Sequence, residues 1–430
     1  MSEVASARHG LIRPRTPGFL ALLIGLGCFG PLSMSIYTPI MPAIAAGLHA
    51  GPEEVKLTLT TYMIGFAGGQ VLFGPLSDRF GRRPVLLFGL AAFTLFSIGC
   101  ALAGTIDQLI VLRILQGAGA CAGSVISRAM ARDVYDFAEM AKVMSWIALG
   151  IQVAPAVSPI IGGHLAVWFG WAAAFWFLAA YSSVMFLVVA IGYAESHHHR
   201  PASMGLTGFI MASAEMLRSR LFLGYVLTLG SAFSIIFGTM VGLPFILQDH
   251  LAVPPNLYGY VVVLSAFGFT AGTFANNRLV GRVVPERIVR LAAWGHIVGL
   301  GITAALALCG IVSVWSVMLP YMLVSFCTGI ITPLGSARAV ALFPRLAGTA
   351  SSLLGLAMMG MGALGTLLVA FATSLGNSSS GLPLLGAWVG CHSQDCAAPM
   401  PMIVILLPSA IAVILSSLLL RRIPEKTAIS

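Results

Sequence analysis

Charge is what this sequence is short of. Only 9% of its 430 residues are Asp, Glu, Lys or Arg, against about a quarter in soluble domains. Hydrophobic residues make up 58%, with a mean hydropathy of +0.96. A soluble globule is excluded, and the chain reads as an integral membrane protein. Acids are scarcer than bases: Glu3, Glu53, Glu54, Asp78, Asp107, Asp133, Asp136, Glu139, Glu195, Glu215, Asp249, Glu286, Asp395 and Glu425 are all there are, and none lies in the middle of an apolar run. The resulting net charge of +9 would suggest nucleic acid in a soluble protein, but in a membrane protein bases have another destination, and no nucleic-acid partner is expected. Cysteine is also sparse. Cys28, Cys100, Cys121, Cys309 and Cys327 sit inside apolar runs as small packing residues, while Cys391 and Cys396 share a polar loop where an oxidising compartment would let them pair. No nucleophile–base or metal-ligand constellation is present, so neither an enzyme, a cofactor nor a metal is expected. The adjacent His197, His198 and His199 lie on a charged linker and read as incidental. Nor is a cleavable leader expected, because Arg8, Arg13 and Arg15 precede an apolar run, 19–41, that is too long for a signal-peptide core.

Long apolar runs are what the chain has in quantity. Twelve can be counted, at 19–41, 57–76, 85–104, 109–130, 143–167, 171–193, 221–247, 257–275, 288–309, 311–333, 346–372 and 403–420. A helix of about 20 residues crosses the ~30 Å hydrocarbon layer, so the expected fold is all-α with twelve transmembrane helices. Placing the N-terminus inside assigns all of the 23 lysines and arginines except Lys56 and Arg113 to cytoplasmic loops and tails. Both termini are therefore expected in the cytoplasm. The polar stretch 194–220 divides the runs six and six. The expected organisation is a tail at 1–18, a six-helix bundle at 19–193, a cytoplasmic linker at 194–220, a second bundle at 221–420 and a tail at 421–430. A shift of about 200 residues aligns Leu57 with Leu257, Gly68 with Gly268, and Gly81-Arg82 with Gly281-Arg282, although Arg278 stands where the first copy has Asp78.

Between the second and third runs, the stretch 74–84 places Gly74, Leu76, Asp78, Arg79, Gly81, Arg82 and Arg83 in a short basic turn followed by Leu86. This pattern resembles the signature of the major facilitator superfamily. The resemblance implies two pseudo-symmetric six-helix bundles and a latch between them on the cytoplasmic side. In that latch Asp133 is expected to pair with Arg82 or Arg79, while Asp78 faces the start of the eleventh helix near Gly348 and Thr349.

The fourth run puts Arg113, Gln116, Gly117 and Ala120 on one helix face. A charge one turn below the membrane surface needs water or a partner, so Arg113 is expected to look into a central cavity. The run resembles the drug:proton antiporter motif of the superfamily, which implies a part for Arg113 in proton coupling. The fifth run carries Gly150, Pro155, Ser158, Pro159, Gly162 and Gly163 and is similar to the helix motif of exporters, with Ser158 in place of a glycine. The end of the first helix, together with 57–62 and 132–135, resembles the Bcr/CflA subfamily, which includes chloramphenicol and florfenicol exporters. That subfamily commonly has Asp where this chain has Ser35. With no acid at mid-membrane, the coupling candidates are Arg113 with water, His296, or Asp107 and Asp249 at helix ends. The expected cavity lining is Tyr37, Tyr62, Phe66, Arg113, Gln116, Trp146, Gln152 and Phe233.

These readings converge on secondary active export of amphipathic drugs or related small molecules across a bacterial inner membrane. Alternating access by a monomer is expected, with protons as coupling ion. The alternative is an uncoupled or differently coupled transporter of one metabolite or siderophore, which Ser35 favours. A non-transporting receptor is disfavoured by the intact 74–84 turn.

Overall fold

Inside a bilayer no water is available to the backbone, so each spanning segment must pair its own N–H and C=O groups, and a helix does this within one segment. The computed structural model describes residues 12, 14–195, 205–343, 346–377 and 410–415, and every regular element among them is helical. The first span is broken into α1 (Pro17–Gly27), α2 (Phe29–Tyr37), a tight turn at Thr38–Ile40, and α3 (Met41–Gly47), with a 46° bend at Cys28. There follow α4 (Pro52–Phe80), α5 (Arg82–Ala101), α6 (Ile106–Val134), α7 (Phe137–Phe169) and α8 (Ala172–Leu187). After the short linker helix α9 (Gly205–Arg218) come α10 (Arg220–Pro244), α11 (Pro255–Leu279), α12 (Pro285–Leu308), α13 (Val314–Ala341) and α14 (Ala347–Asn377).

Nine helices among the described residues are long and apolar enough to cross a membrane, or ten counting the bent first span. Helix α4 supplies the second expected span: it is 29 residues long, and its charges (Glu53, Glu54, Lys56, Asp78, Arg79) gather at its two ends. The twelfth run overlaps the described residues only at 410–415, which are helical. His197–His199, Cys391 and Cys396 lie outside the described residues.

The two halves repeat one packing rule. An added Cβ at Gly65 would sit 1.9 Å from the Ile114 carbonyl of α6, and at Gly69 3.0 Å from that of Ala118. In the second half Gly268 and Gly272 stand at 2.5 and 2.0 Å from the Met322 and Phe326 carbonyls of α13. Close backbone approach through small residues is how helices associate where lipid removes the hydrophobic drive. The repeat is thus physical, but inside the membrane its register runs three residues beyond the 200-residue shift: Gly65, not Gly68, is the packing counterpart of Gly268. The positive-φ turns Gly81 and Gly281 keep the shift, with φ 101° and 83°.

Candidate transport cleft and gating cluster

At one end of the first half, Gly81 closes α4 in a conformation that a side chain resists, and α5 begins at the next residue. The Arg82 guanidinium then faces back. Its Nη1 donates to Asp78 Oδ1 (2.5 Å) and Ser77 Oγ (2.7 Å), and its Nε to Asp133 Oδ2 (2.9 Å) at the end of α6. One buried arginine thereby ties α4, α5 and α6 together through charge-assisted bonds. The carboxylate of Glu195 accepts the backbone N–H groups of Arg82 and Arg83, each at 3.0 Å, and so sits on the positive end of α5. A Cβ at Gly81 would stand 2.6 Å from that carboxylate, a second reason for glycine there. Arg83 donates to the Ala190 carbonyl at 2.6 Å, Arg79 lies over the Phe80 ring, and a Cβ at Gly74 would meet nothing. Of the two partners offered to Asp133, the structure uses Arg82. Asp78 bonds within its own half, and the group beside Gly348 of α14 is the Arg132 guanidinium. Sequence reading missed Glu195, which looks like an ordinary linker acid. It also missed the second half's counterpart, where Glu286 at the start of α12 takes Arg338 of α13 (3.3 Å) and the Tyr225 hydroxyl (3.2 Å). The same helix ends are joined with the charges exchanged.

Arg113 is fully buried. Its guanidinium carbon lies 4.2 Å from the Tyr62 ring centre, 4.4 Å from that of Tyr37 and 5.9 Å from that of Phe175, and Nη1 donates to Gln116 Oε1 at 2.6 Å. Gln116 donates in turn to Ser97 at 2.8 Å. Arg113 and Gln116 do share a face, but that face turns into the first half, away from open space. Three ring faces supply the attraction that water was expected to give. Tyr37, Tyr62 and Phe66 are drawn into the same packing, and the Tyr37 hydroxyl bonds Thr58. Ser35 is buried, its carbonyl accepting the Thr38 hydroxyl. In the second half, His296 is also buried and both ring nitrogens are engaged, Nδ1 by the Ala292 carbonyl (3.1 Å) and Nε2 by Thr328 (2.9 Å).

The seam between the halves is tight at the end remote from Arg82. Lys56 Nζ donates to Thr373 of α14 (2.6 Å) and lies over the Phe245 ring; Thr60 bonds Thr366 (2.8 Å); Gln248 donates to the Pro39 carbonyl (3.0 Å). Helices α7 and α11 touch only a methyl's width apart there, with a Cβ at Gly163 placed 2.1 Å from the Pro255 carbonyl and one at Gly259 2.4 Å from the Ile160 nitrogen. Farther along they part. Gln152 lies eleven residues before Gly163, and Thr270 eleven after Gly259, each within about 20° of its glycine round the helix at ~100° per residue. Both are exposed although they face the opposite half. The two halves therefore meet at the Lys56 end, and along α4 and α14 the contact runs on to Gly355, where a Cβ would stand 2.5 Å from Gln70 Oε1; the cleft opens between α7 and α11. Trp146 is exposed on α7; Phe233 is half-buried beside Phe237.

Residues 23–366 match the model of the Major Facilitator Superfamily. The chain belongs to that superfamily. Among its relatives are the bicyclomycin resistance protein homolog of Haemophilus influenzae, 29% identical over 89% of this chain and 91% of that protein, and a chloramphenicol resistance protein of Pseudomonas aeruginosa, 33% identical over 81% and 83%. These are relatives of the Bcr/CflA type, in keeping with the resemblance read from the sequence. The fold is also that of the xylose transporter XylE from E. coli in an inward open conformation, with a TM-score of 0.70 and 14% identity over 96% of this chain and 97% of that one.

As a member of the superfamily the chain is a multi-pass membrane transporter of small molecules. Its exporter-type helix α7 gains a physical reading: Gly150 seats against Ile24 and Cys28 of the first span, Gly162 against the Ile36 carbonyl (2.3 Å), and Gly163 against the other half. Adjacent glycines thus serve two different interfaces. Pro155 and Pro159 lie inside this helix, and Ser158 donates to the Ala154 carbonyl one turn back at 2.5 Å. Arg128 was assigned with the cytoplasmic loops on sequence, but it lies within the body of α6, its Nε bonded to the Ser124 carbonyl at 2.9 Å. The signal was available, since the apolar run 109–130 contains it.

Proposed function

We propose that this protein is a secondary exporter of amphipathic small molecules, antibiotics among them, working by alternating access as a monomer in a bacterial inner membrane. The observation that carries the reading is the seam: hydrogen bonds and glycine contacts hold the halves together at the Lys56 end, and α7 and α11 separate beyond it. With both termini cytoplasmic, as the distribution of arginines supports, the Lys56 end is periplasmic and this conformation faces inward, ready to load cargo for export. The names of the relatives, resistance proteins for bicyclomycin and chloramphenicol, support drugs as cargo.

The Arg82 cluster is the cytoplasmic latch in this reading. It stiffens α4, α5 and α6 as one block, and Asp78, still partly exposed, meets the N-terminal end of α14 when the cleft shuts. Coupling to protons involves the buried Arg113–Gln116 pair in this reading, because no carboxylate stands at mid-membrane. A second reading is favoured by Ser35 and by the saturated hydrogen bonding of His296: transport of a single metabolite or siderophore without protons. Reconstitution into liposomes with an imposed pH gradient and labelled chloramphenicol tests both. Accumulation driven by the gradient supports the proton-coupled exporter, downhill movement alone supports drug export without protons, and no movement overturns the drug reading and leaves the single-metabolite one.

A further inference from the structure

Arg128 combines two properties seldom found in one residue. It is exposed, yet it stands within the apolar body of α6. A charged side chain placed there faces a water-filled cleft in preference to lipid. It stands six residues before the end of α6, about two helical turns in. Arg132, one turn on and on the same face, places its guanidinium 3.7 Å from where a Cβ on Gly348 of α14 would be, so this face of α6 looks across to the other half.

Among the described residues, Glu215 lies exposed on the linker helix α9 and the other acids of this end hold other groups. Asp78 and Asp133 hold Arg82, Glu286 holds Arg338, Asp136 and Glu139 hold Arg15, and Glu195 sits on the start of α5. The charged group that faces Arg128 is Arg132, another cation. Nε of Arg128 is used by the Ser124 carbonyl, which leaves the two Nη groups for a ligand. An arginine edge of this kind matches the two oxygens of a carboxylate. In a narrow cleft with low-dielectric walls, uncompensated positive charge concentrates anions and repels cations.

We propose that Arg128 is the charge-selecting group of the cleft, and that the transporter takes amphipathic molecules bearing a carboxylate in preference to cationic ones. This rests on the export reading above. The test uses three probes with one fluorescent ring system: dansylglycine (anionic), dansylamide (neutral) and dansylcadaverine (cationic). Binding to the full-length protein in detergent is read by anisotropy, and movement in inside-out vesicles by fluorescence. Dansylglycine should bind about tenfold more tightly than dansylcadaverine, as one charge-assisted bidentate contact would give. Arg128→Gln should abolish that preference while dansylamide binding stays within about twofold, which also shows the variant is folded; Arg128→Lys should keep part of it. A cation preference in the wild type, or an anion preference that survives Arg128→Gln, overturns the assignment. If dansylamide moves and charge makes no difference, the selectivity falls while export stands; if none of the three binds or moves, export itself falls and the selectivity with it.

Discussion

Lys56 of α4 donates to the hydroxyl of Thr373 in α14, 317 residues away in sequence, and the two halves of the transporter are held shut beside that bond. One turn further in, Thr60 and Thr366 form the next bond across the same seam. Cysteines at these two positions, in a variant whose native cysteines are replaced by serine, should cross-link under mild oxidation and stop transport at least tenfold. Reduction should restore it. Full transport by the cross-linked protein would show that this end does not need to open.

The Arg82–Asp133 pair is largely buried, with side-chain exposures of 6% and 17%, whereas Arg338 opposite Glu286 is 49% exposed. Breaking a buried pair leaves an unpaired charge and costs about 3 kcal/mol or more; a half-exposed pair contributes about 1 kcal/mol or less. Asp133→Asn should therefore lower thermal stability clearly and Glu286→Gln only slightly. Asp78→Asn should cost less stability than Asp133→Asn, because the Asp78 carboxylate is 40% exposed against 17%, yet impair transport. Thermal unfolding in detergent beside a vesicle transport assay separates these outcomes.

His296 has a carbonyl on one nitrogen and a hydroxyl on the other, so it is built as a packing residue of the second half. His296→Gln should lower stability by about 1–3 kcal/mol through the lost buried bonds, and the pH profile of transport should stay where it is. A displaced profile would return His296 to the coupling path.

Gly162 and Gly163 should separate cleanly. Gly162→Ala forces α7 off α2 inside one half and should destabilise the fold. Gly163→Ala forces α7 off α11 across the seam, and should leave stability nearly intact while raising the reactivity of a cysteine placed at Thr366. Equal effects of the two variants would mean that the seam is not a separate interface.

Much of this was legible in the sequence because it depends on local composition. Apolar runs mark spans, and the 74–84 turn marks the cluster down to the pairing of Asp133 with an arginine. What was not legible depends on where a helix face points after folding. The rings of Tyr37 and Tyr62 enclose Arg113, so a charge expected to line a central cavity is packed inside the first half. Lys56 read as a residue outside the membrane, yet its long stem lies in the seam and its ammonium reaches Thr373. Arg128 was counted with the cytoplasmic loops when the N-terminus was placed inside, yet it stands within α6.

The central claim is that closing one end of the seam opens the other. Spin labels at Leu102 and Ala252 report the Lys56 end, and labels at Phe80 and Leu342 report the Arg82 end, all four positions being exposed. Double electron–electron resonance distances in lipid, across a range of pH and with chloramphenicol added, should change in opposite directions: as the first pair lengthens, the second shortens. Two distances that rise and fall together, or that stay fixed while transport runs, would contradict the account.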